Sequence, residues 1–89
     1  MTDLYAKMIE SEQAAVAAIE ALGNSIKEHM NASAAYAENP TDETWQAFVQ
    51  AVDSLAEHQG LVDKTRQASI EATKTWLYVQ LIQDAKHKP

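Results

Sequence analysis

Candidate catalytic and metal-binding side chains are few in this sequence and widely spaced. Glu28-His29 and Glu57-His58 are adjacent pairs, but neighbouring residues on a helix point in different directions and cannot share a ligand. There is no cysteine, no His-x-x-x-His or Glu-x-x-His spacing, and both glycines stand alone. The serines lack a glycine elbow or an adjacent base. We therefore expect no catalytic residue, no metal site, no cofactor and no enzymatic activity.

Composition limits the class of protein further. The chain has 89 residues, of which 46% are hydrophobic, and we expect a single folded domain spanning residues 1–89. Thirteen acids against seven bases give a net charge of −6, which disfavours direct binding to nucleic acid phosphates. No apolar run is long enough to span a bilayer, and no charged-then-apolar leader opens the chain. The expected location is the cytoplasm, without membrane contact.

The elements that hold these residues are predicted to be two long helices. Ten of the sixteen alanines lie between Ala6 and Ala37, and no proline precedes Pro40, so residues 2–38 favour one helix. Pro40 breaks it, and Thr41 or Asp42 can cap a second helix over about 42–86. Gly60 allows a bend, or a break into a three-helix arrangement. The fold class is all-α, a long antiparallel helical hairpin.

A helical wheel at 100° per residue gives each helix one apolar stripe. If the turn centres between Asn39 and Pro40, facing residue numbers add up to about 79, which pairs Ile26 with Val52 and Val16 with Val62. The predicted stripes are Leu4, Met8, Ala15, Val16, Ile19, Leu22, Ile26 and Met30 on the first helix, and Trp45, Phe48, Val52, Leu55, Val62, Ile70, Leu77 and Leu81 on the second.

Two charged residues interrupt these stripes at nearly the same level of the hairpin. Glu12 lies within the first stripe and Arg66 within the second. One interpretation is a buried polar layer in which the two side chains pair and fix the register. The alternative is that the helices separate here and both side chains reach water, because long charged side chains extend readily to solvent.

The C-terminal cluster exceeds what one hairpin can cover. Residues 76–82 are apolar on nearly every side, and exposed apolar patches typically mark interfaces. We expect Trp76, Tyr78, Val79 and Ile82 to form a self-association or partner-binding contact. The expected assembly is a homo-oligomer, preferably a dimer of hairpins forming a four-helix bundle. A break at Gly60 that buries the cluster within one chain is the alternative.

Charge is distributed unevenly along the chain. Residues 1–43 contain eight acids and two bases, a net −6, whereas residues 44–89 are neutral. Glu20, Glu28 and Glu38 are the candidate residues of an acidic face that a basic partner could contact. A plain solvated surface is the simpler interpretation of the same pattern.

The turn Asn39-Pro40-Thr41-Asp42, with Ala47 and Gln50 after it, resembles the hairpin turn of type III secretion needle subunits, and chain length and turn position are similar. Glu43 stands where that family has a second turn proline, and its downstream aromatic–arginine–glutamine-serine pattern is missing. We therefore do not assign the family and transfer no site. The resemblance implies only that the chain could be an assembly subunit.

These patterns favour a non-enzymatic protein that acts by binding another protein of unknown identity. An adaptor, chaperone or small inhibitor would occlude or scaffold its partner. One alternative is a structural subunit of a filament or particle. Another is an acidic antagonist of a nucleic-acid-binding protein.

Overall fold

The computed structural model describes residues 2–87, which form two helices, α1 (Thr2–Glu38) and α2 (Asp42–His87). The helices pack antiparallel into a rod of 74 × 16 × 13 Å. Aromatic pairs join the helices at both ends. The ring centroids of Tyr36 and Trp45 lie 5.4 Å apart near the turn, and those of Tyr5 and Trp76 lie 5.7 Å apart at the open end. The all-α hairpin and its helix bounds are confirmed.

The turn is fixed by two threonines that cap α2 reciprocally. The Thr44 N–H donates to Thr41 Oγ1 at 3.1 Å, and the Thr41 N–H donates to Thr44 Oγ1 at 2.9 Å. The Thr44 hydroxyl lies 2.7 Å from the Asn39 carbonyl oxygen, to which it donates. This is a capping box with threonine in place of the usual glutamate. Together with the restricted backbone of Pro40, it reverses the chain over three residues.

Helix α2 continues through Gly60, so the three-helix alternative is wrong. Gly60 is exposed, and a Cβ added there would meet nothing within 4 Å. A glycine in a helix costs about 1 kcal/mol relative to alanine, which favourable residues on both sides can offset. The break that the sequence allowed is therefore absent.

We predict that Gly60→Ala stabilises the hairpin by about 0.5–1 kcal/mol, because alanine reduces the backbone entropy lost on folding and has room for its methyl group. Urea unfolding at a fixed protein concentration measures the change. Ala68→Gly, at another exposed position of α2, is the matched control and should shift stability by a similar amount in the opposite direction. A destabilising Gly60→Ala would contradict a continuous helix.

The helices meet along a seam whose positions alternate three and four residues apart, the spacing of a coiled coil. Small side chains dominate its buried positions, where Ala18 is 3% exposed and Ser25 is 2% exposed. Through the middle of the rod, the seam consists of Met8, Ser11, Ala15, Ala18, Leu22 and Ser25 on α1 and Phe48, Ala51, Leu55, His58, Val62 and Thr65 on α2.

The predicted register is close to the observed one, but the predicted rotation of the helices is wrong. Ser25 and Ser54 lie opposite each other, as the turn position predicts. Ile26 and Val52, expected to face each other in the core, are both exposed, and so is Val16. A repeat of 3.5 residues drifts by about 20° per heptad from a 100° wheel. The apolar stripe that the wheel predicts for α1 therefore moves gradually off the seam. It coincides with the seam at Leu4 and lies beside it at Met30.

Candidate interaction surface

The seam contains a cluster of three polar side chains that sequence analysis left scattered. Ser25 Oγ lies 2.6 Å from His58 Nδ1, and Ser54 Oγ lies 3.3 Å from the same nitrogen. His58 Nδ1 also lies 2.8 Å from the Ser54 carbonyl oxygen. The observed register brings Ser25 and His58 together although they are 33 residues apart in sequence.

This cluster has the composition of a nucleophile and a base, but its geometry is that of a structural contact. A carbonyl oxygen can only accept, so a hydrogen bond from His58 Nδ1 to the Ser54 carbonyl requires the tautomer with a proton on Nδ1. In that tautomer, the nitrogen has no lone pair to take a proton from Ser25, as a general base must. Ser25 is also buried, out of reach of a substrate. The cluster satisfies polar groups inside the seam and joins the two helices.

The prominent surface feature is a row of large apolar side chains immediately beside the seam on α1. Each follows a seam residue by one position, which turns it about 100° away from the partner helix. Ile19, for example, follows the buried Ala18 and is 55% exposed. All the exposed large hydrophobic residues of α1 belong to this row: Tyr5, Val16, Ile19, Ile26 and Met30.

Helix α2 contributes a matching row on the same side of the rod. In two antiparallel right-handed helices, the residues that follow the seam positions of each helix turn toward the same side. Five exposed apolar residues of α2 occupy such positions: Trp45, Val49, Val52, Ile70 and Leu77. The ten side chains form one broad surface, which we call the apolar face. The sequence pattern did not reveal this face, because the 100° wheel assigned eight of the ten residues to the core.

The opposite side of the rod is acidic. The residues that directly precede a position of the seam spacing lie there, and seven of them are exposed acids: Asp3, Glu10, Glu28, Glu38, Glu43, Glu57 and Glu71. Two of the predicted acidic residues, Glu28 and Glu38, are among them. Glu20 lies on the outer edge of α1. The hairpin thus separates an apolar face from an acidic one.

Glu12 and Arg66 lie on the apolar face, where they follow the seam residues Ser11 and Thr65. Both are exposed, so a single hairpin does not form the buried polar layer, and the solvent-exposed alternative describes it better. The two positions share a level and a side of the rod. Their pairing stays a prediction, and it would become a buried one only if something covers the apolar face.

The four residues predicted as one contact set occupy different surroundings. Trp76 and Val79 are half-buried in the seam, where Trp76 packs on Tyr5. Tyr78 and Ile82 are exposed on the side away from the apolar face. The set therefore does not form one continuous patch.

Tyr78 and Ile82 belong instead to the C-terminal part of α2. Because Tyr5 pairs with Trp76 and α1 begins at Thr2, α2 runs past the end of α1 from about residue 80. We call residues 80–87 the overhang. Tyr78, Leu81, Ile82 and Ala85 line a shallow depression along its outer side, and Tyr78 is 70% exposed.

No related protein identifies this surface. Comparison with protein-family models, with curated proteins and with solved structures finds no match to the chain. Between residues 2 and 87, neither helix has a stretch both long and apolar enough to cross a membrane. Over the same residues, no three histidine or acidic side chains come together in a group that could hold a metal ion.

Proposed function

We propose that the chain is a non-enzymatic protein-interaction protein that acts as a dimer of hairpins, a four-helix bundle. The observation that supports this is the apolar face, with ten large hydrophobic side chains exposed on one side of a small rod. Apolar surfaces of this extent on a folded domain are typically covered by another protein. Two apolar faces packed together would give each helix a second buried stripe, which a four-helix bundle requires.

The dimer leaves two surfaces free for a partner protein. Tyr78 and the overhang residues Leu81 and Ile82 are exposed and point away from the apolar face. The acidic side also stays outside. A partner with an apolar groove and a basic rim would fit the combination. An adaptor, chaperone or inhibitor of this kind works by occluding or scaffolding the partner. The acidic, cysteine-free composition is the basis for placing it in the cytoplasm.

Two measurements test this proposal. The molar mass across a concentration series should stay at twice the chain mass of 9.8 kDa; growth beyond that would favour a filament subunit, and a constant chain mass would contradict the dimer. Capture of partner proteins should then be lost in the Tyr78→Ala, Ile82→Ala double variant with dimer mass unchanged. Leu61→Ala, another exposed apolar position of α2, is the control that should keep the partner.

The acidic side supports a second candidate, an antagonist of a nucleic-acid-binding protein. Its seven exposed acids could meet the basic site of such a partner. That function predicts a complex that weakens steeply as salt rises, since exposed charges are screened beyond about 8–10 Å at physiological salt. A salt-insensitive complex that depends on Tyr78 would exclude it.

A further inference from the structure

We infer that the occupant of the apolar face is a second copy of this chain laid antiparallel to the first, with the two turns at opposite ends of the bundle. This inference rests on the proposed dimer and adds its orientation and facing residues. Area, apolar pattern and charge each bear on it.

The apolar face has the area that a stable dimer needs. Its ten side chains are between 38% and 64% exposed, so covering them removes about 800–1,000 Å² from water on each copy, against about 800 Å² per partner in a typical stable interface. The exposed apolar area alone therefore accounts for a partner as large as a second hairpin.

The pattern of the face matches itself when one copy is reversed. The exposed apolar residues run from Trp45 near the turn to Leu77 and Tyr5 at the open end. The middle of this range lies level with Ile19. A two-fold axis there places Ile19 against its own counterpart, Trp45 over Leu77, and Val52 over Ile70. Apolar side chains then meet at these points, with Glu12 and Arg66 of each copy lying between them. A parallel arrangement would bring apolar side chains together as well.

Charge distinguishes the two orientations. The half of the rod near the turn, residues 24–57, contains six acids and one base, a net −5, whereas the rest of the chain has seven acids and six bases, a net −1. Parallel packing would place the turn halves of both copies, each with a net charge of −5, beside each other. Antiparallel packing places each beside a nearly neutral half. Four of the six acids lie on the acidic side, away from the interface, so the repulsion between the halves acts at long range and is strongest at low salt. The charge distribution therefore favours the antiparallel dimer.

Single cysteines can test the orientation, because the chain has none of its own. Gln59, Asp42 and Gln80 are exposed and lie beside the seam on the same side as the apolar face. In the antiparallel dimer, Gln59 lies near the two-fold axis and Asp42 of one copy lies over Gln80 of the other. Each variant is purified, checked for unchanged helicity, and treated with a short bis-maleimide alone and in equimolar mixtures.

The expected result has three parts. Gln59→Cys cross-links to itself, a mixture of Asp42→Cys and Gln80→Cys gives a mixed covalent dimer, and Asp42→Cys alone gives none. Self-cross-linking of Asp42→Cys without the mixed product would show parallel packing and overturn the inference while leaving the dimer. A monomeric mass with no cross-link at Gln59→Cys would overturn the dimer as well.

Discussion

The Ile19→Glu variant is expected to be a monomer at concentrations where the unmodified protein is a dimer. Ile19 is exposed in the single hairpin, so the substitution leaves the seam intact. In the proposed dimer, it buries two carboxylates against each other near the two-fold axis, and a buried unpaired charge costs several kcal/mol. The dissociation constant should therefore rise about a thousandfold or more.

Sedimentation velocity over a concentration series measures this change, and circular dichroism shows whether the helices persist. Ala17→Glu is the matched control, because it adds the same charge two residues away at an exposed position on the acidic side and should leave the mass unchanged. If Ile19→Glu remains dimeric with unchanged affinity, the apolar face is not the dimer interface.

The Ala18→Asp variant is expected to lose the hairpin itself. Ala18 is 3% exposed, at the point where small side chains let the helices approach each other. An aspartate there is a buried charge without a partner, and breaking a seam in this way costs about 3–5 kcal/mol. The total stability of a domain this small lies at the low end of the usual range of about 5–15 kcal/mol, so most of it would be lost.

Thermal unfolding followed by circular dichroism tests this expectation. Ala17→Asp adds the same charge at the adjacent exposed position and should cost little, because exposed substitutions usually shift stability by less than about 0.5 kcal/mol. Equal effects of the two variants would mean that Ala18 does not lie in the seam. Together, substitutions at residues 17, 18 and 19 measure the rotation of α1 directly.

The elements and their register follow from local chemistry and could be predicted. Pro40 and the Thr41 cap fix where the helices end, and a turn of three residues leaves little freedom in which residues lie opposite each other. The position of the turn alone predicts that Ser25 lies level with Ser54 and that Tyr5 lies level with Trp76. These features depend on neighbouring residues, which a sequence displays directly.

The rotation of each helix could not be obtained in the same way. It depends on whether the seam selects the large residues, such as Ile19 and Ile26, or the small ones, such as Ala18 and Ser25. Hydrophobicity favours the former, but the helices meet at the latter and leave the large side chains outside. Placing Ser25 at His58 required this rotation as well as the register. A helical wheel drawn at 3.5 residues per turn separates the stripe of small residues from the adjacent stripe of large ones, so that both can be considered as the seam.

Distance along the chain also sets the order in which the hairpin can form. The entropy cost of closing a loop grows with its length. The contact between Tyr36 and Trp45 closes the shortest of three loops, and the contact between Ser25 and His58 closes a loop of 33 residues. The contact between Tyr5 and Trp76 closes the longest. We therefore expect the hairpin to fold from the capped turn toward the open end, which pairs last and opens first. In an antiparallel pair, the turn end of each copy, which forms early, would lie along the open end of the other copy and stabilise it.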